Sequence, residues 1–291
     1  IITMVISVGC SSPSFNEDDV KSIISAKDAL QLIGNENVVF VDAQKSTGYV
    51  KGHMKNAVNI SRDDIVVKEP VVNVLAPKEQ IEAVLSNAGI SNNSEVIIYD
   101  SNNNMDSARL WWTLKVFGHE NVKVISGGIS DLKANGVEVS TEVPKVVATK
   151  YVAKDINHSM IATKEEVLNQ VNDPKDNIVL LDTRSQEEYD AGTIPSSVLK
   201  DYSENVYKDG IVTVTTRNSI MYLENEIDPQ DTVVMYCKTS IRGAQTYLAL
   251  YNAGYRNLKL YDGAWVEWSK SELPIQMPAV NRIESNEQDN S

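Results

Sequence analysis

The chain has 291 residues, 42% hydrophobic and 23% charged, a length that suggests two domains and a composition ordinary for a globular protein. Collagen, coiled coil and wholesale disorder are therefore excluded. Twenty-seven Lys and Arg against 40 Asp and Glu leave a net charge of −13, which repels a nucleic-acid backbone, and no stretch concentrates enough basic residues to overcome it.

The apolar run Ile1-Ile-Thr-Met-Val-Ile-Ser-Val-Gly9 ends at Cys10 and is too short to span a bilayer. Small or apolar residues ahead of a Cys, then a Ser-rich and acidic stretch at 11–19, resemble the end of a bacterial lipoprotein signal. On that reading Cys10 carries a lipid, residues 1–25 are a signal remnant and tether, and the protein is anchored outside the cytoplasmic membrane. An unstructured or strand-forming start is the alternative, and would leave the chain cytoplasmic. Cys237 is the other of only two cysteines, so a disulfide framework is excluded by count.

Three stretches of the first half recur in the second. Val38-Val-Phe-Val-Asp42 with Tyr49, Gly52 and Val58 matches Val179-Leu-Leu-Asp182 with Tyr189, Gly192 and Val198 at an offset of 140. Glu95-Val-Ile-Ile-Tyr-Asp100 matches Thr232-Val-Val-Met-Tyr-Cys237 at 137, and Phe117-Gly-His matches Ala253-Gly-Tyr at 136. The loop after Asp100 is thus one residue longer than the loop after Cys237. Apolar runs of this length read as buried strands, and the segments between them, 107–116 and 243–251, read as helices. Ser25-Ala-Lys-Asp28 and Thr163-Lys-Glu-Glu166 have the spacing of capping boxes at helix starts. The fold class is therefore α/β, two tandem domains at 26–142 and 161–276, each a central parallel sheet flanked by helices. A linker at 143–160 joins them, and residues 277–291 are polar and acidic, a solvated tail.

Asp100, Ala108-Arg-Leu-Trp-Trp-Thr-Leu-Lys-Val-Phe-Gly-His and Gly127-Gly-Ile in one half, with Cys237-Lys-Thr-Ser-Ile-Arg242 and Tyr261-Asp-Gly-Ala-Trp265 in the other, resemble the two-domain rhodaneses, a family of sulfurtransferases. The resemblance implies a silent first domain, in which Asp100 replaces the nucleophile, and a second domain whose Cys237 forms a persulfide. It also implies a substrate loop of Lys238, Thr239, Ser240, Ile241 and Arg242. Ser240 stands where the family usually has Gly, and Arg242 where many two-domain members have Thr. Arg184 matches an Arg that binds the anionic end of the substrate in relatives; the alternative is a surface ion pair with Glu187 or Glu188.

The residues point the same way without the family. Cys237 ends an apolar strand at its carboxyl end, where open α/β sheets place ligands. A loop leading into a helix offers backbone N–H groups and a positive helix end, and Lys238 and Arg242 add full charges. Each favours thiolate over thiol. An inert core cysteine is the competing reading. Four residues separate Cys237 from Arg242, one fewer than in thiolate phosphatases, so the ring suits a sulfur atom better than a phosphoryl group.

The expected activity is transfer of sulfane sulfur from thiosulfate to cyanide or a thiol. Mercaptopyruvate as donor, and a non-catalytic rhodanese-fold binding module, are the alternatives. The partners are then a small anionic donor and a nucleophilic acceptor, with a membrane reached only through Cys10, and a monomer is expected. His53 reads as fixing a loop. His119 and His158 have no ligand-spaced partner and no phosphate-binding fingerprint occurs, so neither metal nor cofactor is expected.

Overall fold

A computed structural model describes residues 22–206, 210–212 and 215–278; Cys10, and with it the lipoprotein reading, and residues 279–291 of the tail lie outside them. Among the described residues no helix is long and apolar enough to cross a membrane.

Each half folds around a five-stranded parallel sheet. The first runs Ile23–Ile24, Val122–Ile125, Glu95–Tyr99, Val38–Asp42, Val58–Asn59 from edge to edge, and the second runs Ile161–Ala162, Leu258–Tyr261, Thr232–Tyr236, Ile178–Asp182, Val198–Leu199. The matched registers show the duplication: Asp42 lies opposite Tyr99, and Asp182 opposite Tyr236. Such sheets must be covered on both faces, which is why Val96, Ile97, Ile98 and Tyr99 are all fully buried. The first sheet begins at Ile23, ahead of residue 26, because a two-residue edge strand is too short to show as a period.

Helices start where side chains satisfy free amides. The Thr163 and Glu166 side chains form a full capping box before helix Lys164–Asn172, and Ser25 accepts from the Asp28 amide before helix Ala26–Leu30. The two long helices, Met105–Val116 and Ile241–Asn252, begin two residues earlier than the apolar periodicity suggests. Their caps, Asn104 and Ser240, are left-handed and make no side-chain cap bond, so the usual start signal is missing.

These long helices pack against each other across the domain boundary. Trp111 is fully buried, with its ring 6.1 Å from Tyr247 and 5.2 Å from Tyr251. One hydrophobic cluster therefore contains residues of both halves, and a smaller cluster lies on the outer face of each sheet. The linker adheres to the first domain: the amides of Lys154 and Asn157 donate to the carbonyls of Phe117 and Val116 at 3.0 and 2.9 Å.

Because the central core is shared, the two domains should unfold together. Trp111→Ala is expected to cost about 3–5 kcal/mol, read as a lower urea midpoint that is the same by tryptophan fluorescence and by far-UV circular dichroism. Two separated transitions in the unsubstituted protein would contradict a shared core.

Candidate active site

Cys237 follows directly on the central strand Thr232–Tyr236, at its carboxyl end, and is 1% exposed. Four residues, 237–240, cross from strand to helix, and Ile241 and Arg242 already belong to the first helical turn. In the first domain five residues, 100–104, make the same crossing, which is the one-residue difference seen in the repeat.

The two loops are built alike. Asn104 and Ser240 both take left-handed backbone, at φ 59° and 63°, turning the chain sharply into the helix. Each braces that turn on the last long strand of its sheet: Asn104 Nδ2 donates to the Ile125 carbonyl at 2.7 Å, and Ser240 Oγ donates to the carbonyls of Tyr261 and Asp262 at 2.9 and 2.7 Å. The hydroxyl thus anchors a position where the family usually has Gly. The backbone behind the loop also repeats, with Ile129 N donating to Asp100 O at 2.8 Å and Trp265 N to Cys237 O at 3.0 Å. In the first domain the fit excludes a side chain, since a Cβ at Gly128 would lie 2.1 Å from the Asp100 carbonyl, whereas the second domain makes the same bond with Ala264 at the matching place.

What the loops enclose differs. Asp100 Oδ1 accepts from the amides of Asn102 and Asn104 at 2.9 and 3.1 Å, and Oδ2 accepts from Ser107 N at 2.8 Å. The first cradle therefore already holds an anion of its own. Burial raises the Asp100 carboxyl above the usual carboxylate range, the Ser107 and Asn102 amides oppose that rise, and Asp106 adds to it. In the second cradle, among the described residues, no acceptor is bonded to the amides of Lys238, Thr239, Ser240, Ile241 or Arg242. These donors are available to negative charge carried on Cys237.

Charge at the mouth is set by a pair that the sequence did not reveal. Arg242 Nη1 and Nη2 donate to Glu188 Oε2 and Oε1 at 2.5 and 2.9 Å, a bidentate ion pair, and the Arg242 guanidinium lies 5.9 Å from the Tyr202 ring centre. Burial alone would lower the Arg242 guanidinium, but Glu188 and the nearby Cys237 outweigh it and leave it raised. The hydrogen bond from Arg242 holds Glu188 below the usual carboxylate range. Desolvation raises the Tyr202 hydroxyl, and Arg242 opposes the rise. Tyr202 lies in a short 3-10 turn with no motif to mark it. Lys238 is exposed on the loop and Thr239 is half-buried, whereas Ile241 is 4% exposed and packs inward.

Arg184 makes no ion pair with Glu187 or Glu188, the alternative to substrate binding, among the described residues. It is 2% exposed, its Nε and Nη2 donate to the Asp182 carboxylate at 2.9 and 2.6 Å, and Nη2 also donates to the Gly192 carbonyl at 2.7 Å. Trp265 stacks over it, 4.4 Å from the guanidinium carbon to the ring centre. The partner is therefore Asp182, not Glu187 or Glu188, because the side chain folds back onto its own strand end. This arrangement ties Trp265 to the end of strand Ile178–Asp182. His53 does fix a loop, its two ring nitrogens bonded to the carbonyls of Tyr49 and Glu142 at 2.8 and 3.2 Å.

The Glu188–Arg242 pair has a pH signature. A folded-state pKa below the unfolded value means that the stabilisation is fully present above the unfolded value and is lost as pH falls through the folded one. Thermal midpoints of the unsubstituted protein and Glu188→Gln should differ most at neutral pH, and the gap should close at pH below about 4. A gap that does not change with pH would show that the pair contributes through packing alone.

The geometry agrees with what the chain is similar to. The model of the rhodanese-like domain matches twice, at residues 25–135 and 163–271. A protein of Saccharopolyspora erythraea named "Putative thiosulfate sulfurtransferase" is 29% identical over 275 residues, covering 88% of this chain and 96% of that one. The "Thiosulfate sulfurtransferase" of Corynebacterium glutamicum is 26% identical over 287 residues, covering 91% and 93%. Among solved structures, the anaerobic ergothioneine biosynthesis enzyme of Chlorobium limicola in complex with trimethyl histidine superposes with a TM-score of 0.82 at 19% identity, over 93% of this chain and 73% of that one. With two matched copies over most of its length and the two cradles in register, the chain belongs to the rhodanese-like domain family.

Proposed function

We propose that this protein is a thiosulfate sulfurtransferase that carries sulfane sulfur on Cys237. The observation that carries the reading is the second cradle: a buried thiol at the end of the central strand, followed by a loop whose amides have no bonded acceptor among the described residues and by Arg242 in the first helical turn.

The Cys237 thiolate attacks the outer sulfur of thiosulfate, the S–S bond of the donor breaks, and sulfite leaves with the bonding electron pair. A Cys237 persulfide remains, its terminal sulfur facing the loop N–H groups. Cyanide, or a thiolate acceptor, then attacks that terminal sulfur and forms thiocyanate or a new persulfide, while Cys237 departs as thiolate. No proton need move at sulfur if the thiol is already ionised.

Donor choice rests on the loop cations. Glu188 offsets much of the Arg242 charge, so the exposed Lys238, which has no ion pair among the described residues, is the cation free to meet an incoming dianion. Lys238→Gln should raise the thiosulfate KM about two- to fivefold, the size of an exposed charge contact. The names of the relatives support thiosulfate over mercaptopyruvate.

Incubation with thiosulfate should add one sulfur, about 32 Da, to the intact protein but not to Cys237→Ser. Cyanide should remove the added mass as thiocyanate. The proposal fails if no mass is gained or if Cys237→Ser gains it equally. Faster turnover with mercaptopyruvate than with thiosulfate would overturn the donor assignment while leaving the persulfide intact.

A further inference from the structure

The domain without a nucleophile reaches the catalytic loop through one carboxylate. Asp262 follows the last residue of strand Leu258–Tyr261, and its Oδ1 accepts from Arg109 Nη1 while its Oδ2 accepts from the Leu75 amide, both at 2.7 Å. Arg109 Nη2 also donates to the Asn73 carbonyl at 3.0 Å. Arg109 is 0% exposed and Asp262 6%. Both donors to Asp262 belong to the first domain, one from the helix Met105–Val116 and one from a hairpin of strands Val66–Val67 and Val74–Leu75.

On its other side the same turn holds the sulfur loop. The Asp262 and Tyr261 carbonyls accept from Ser240 Oγ, Trp265 N donates to the Cys237 carbonyl, and Val266 N donates to the Lys238 carbonyl at 3.1 Å. Between these bonds Ala264 takes positive φ, 55°, a conformation costly for a residue with a Cβ and kept only where the surroundings impose it. The turn at 261–266 is thus a bracket, with the catalytic loop on one face and the first domain on the other.

The duplication supplies an internal control. At the place of Asp262 the first domain has Ser126, whose Oγ accepts from the Val212 amide of the second domain at 2.8 Å. Each domain therefore reaches across to the other's turn, but among the described residues only the turn beside Cys237 is gripped by a buried charge. The first loop closes on its own Asp100 carboxylate, whereas Cys237 supplies no comparable tie. A buried ion pair contributes little net stability compared with an apolar replacement, so folding alone does not account for it.

We infer that the first domain positions the persulfide loop, with Arg109 and the hairpin at 66–75 acting through Asp262 as positioning residues; this rests on the persulfide reading of Cys237. The full chain tests it with Asp262→Asn, Arg109→Gln and the double variant. Turnover is measured per Cys237 that accepts sulfur from thiosulfate, so that misfolded protein is not counted, and thermal midpoints are recorded alongside.

Asp262→Asn should turn over about tenfold more slowly per loadable Cys237, with thiosulfate KM changed less than the rate. Arg109→Gln, which leaves a bare buried carboxylate, should be the least stable. The double variant should regain much of that stability yet stay slow, because neutral side chains repair the charge imbalance but not the grip. A wild-type rate in Asp262→Asn, or a double variant whose rate recovers in step with its stability, would overturn the inference. If even the unsubstituted protein takes up no sulfur, the persulfide reading has failed on its own. Loop placement is then read from the rate at which iodoacetamide alkylates Cys237, and equal rates in all variants would overturn the positioning role independently.

Discussion

A parallel strand that ends and turns at once into a helix leaves backbone N–H groups converging at the turn, and those donors require negative charge. Both halves of this chain contain that constraint, and the rest of the site follows from how each meets it. The first half meets it with the Asp100 carboxylate, which takes three amides. The second places Cys237 there, so the same cradle can hold a thiolate, or the outer sulfur of a persulfide.

The neighbours of the cradle changed with its occupant. Asp106, two residues into the first long helix, is paired with Arg62 and opposes charge on Asp100. At the matching place in the second helix stands Arg242, held in a bidentate ion pair by Glu188. Charge is thus reversed at the helix start, which suits the second cradle to an anion better than the first. The shared core around Trp111 then makes the first domain a rigid abutment rather than a separate unit.

Much of this was legible in the sequence because it rests on local patterns. Buried parallel strands are continuous apolar runs, so Glu95–Tyr99 and Thr232–Tyr236 and the offset between them could be read directly, and the one-residue loop difference followed. Cys237 and its loop stood out as a lone thiol among cations. The starts of the two long helices did not, because left-handed caps at Asn104 and Ser240 lack the side-chain bond that makes a cap recognisable. Arg184 matched a substrate-binding Arg by position, but its pairing with Asp182, two residues back on the same strand end, carried no signal. Glu188 to Arg242 spans 54 positions and Arg109 to Asp262 spans 153, and no periodicity encodes such pairs. The residues of both pairs except Glu188 stood inside recognised motifs, so the types were visible and the partners were not.

The central claim is that sulfur rests covalently on Cys237 between donor and acceptor, as a double displacement requires. Thiosulfate labelled in its outer sulfur tests it most directly: the protein is loaded without acceptor, freed of donor, mapped by peptide mass and then given cyanide. The label should sit on the peptide containing Cys237 and pass in full to thiocyanate. Thiocyanate that forms only while donor and cyanide are present together, from protein that retains no label, would contradict the account.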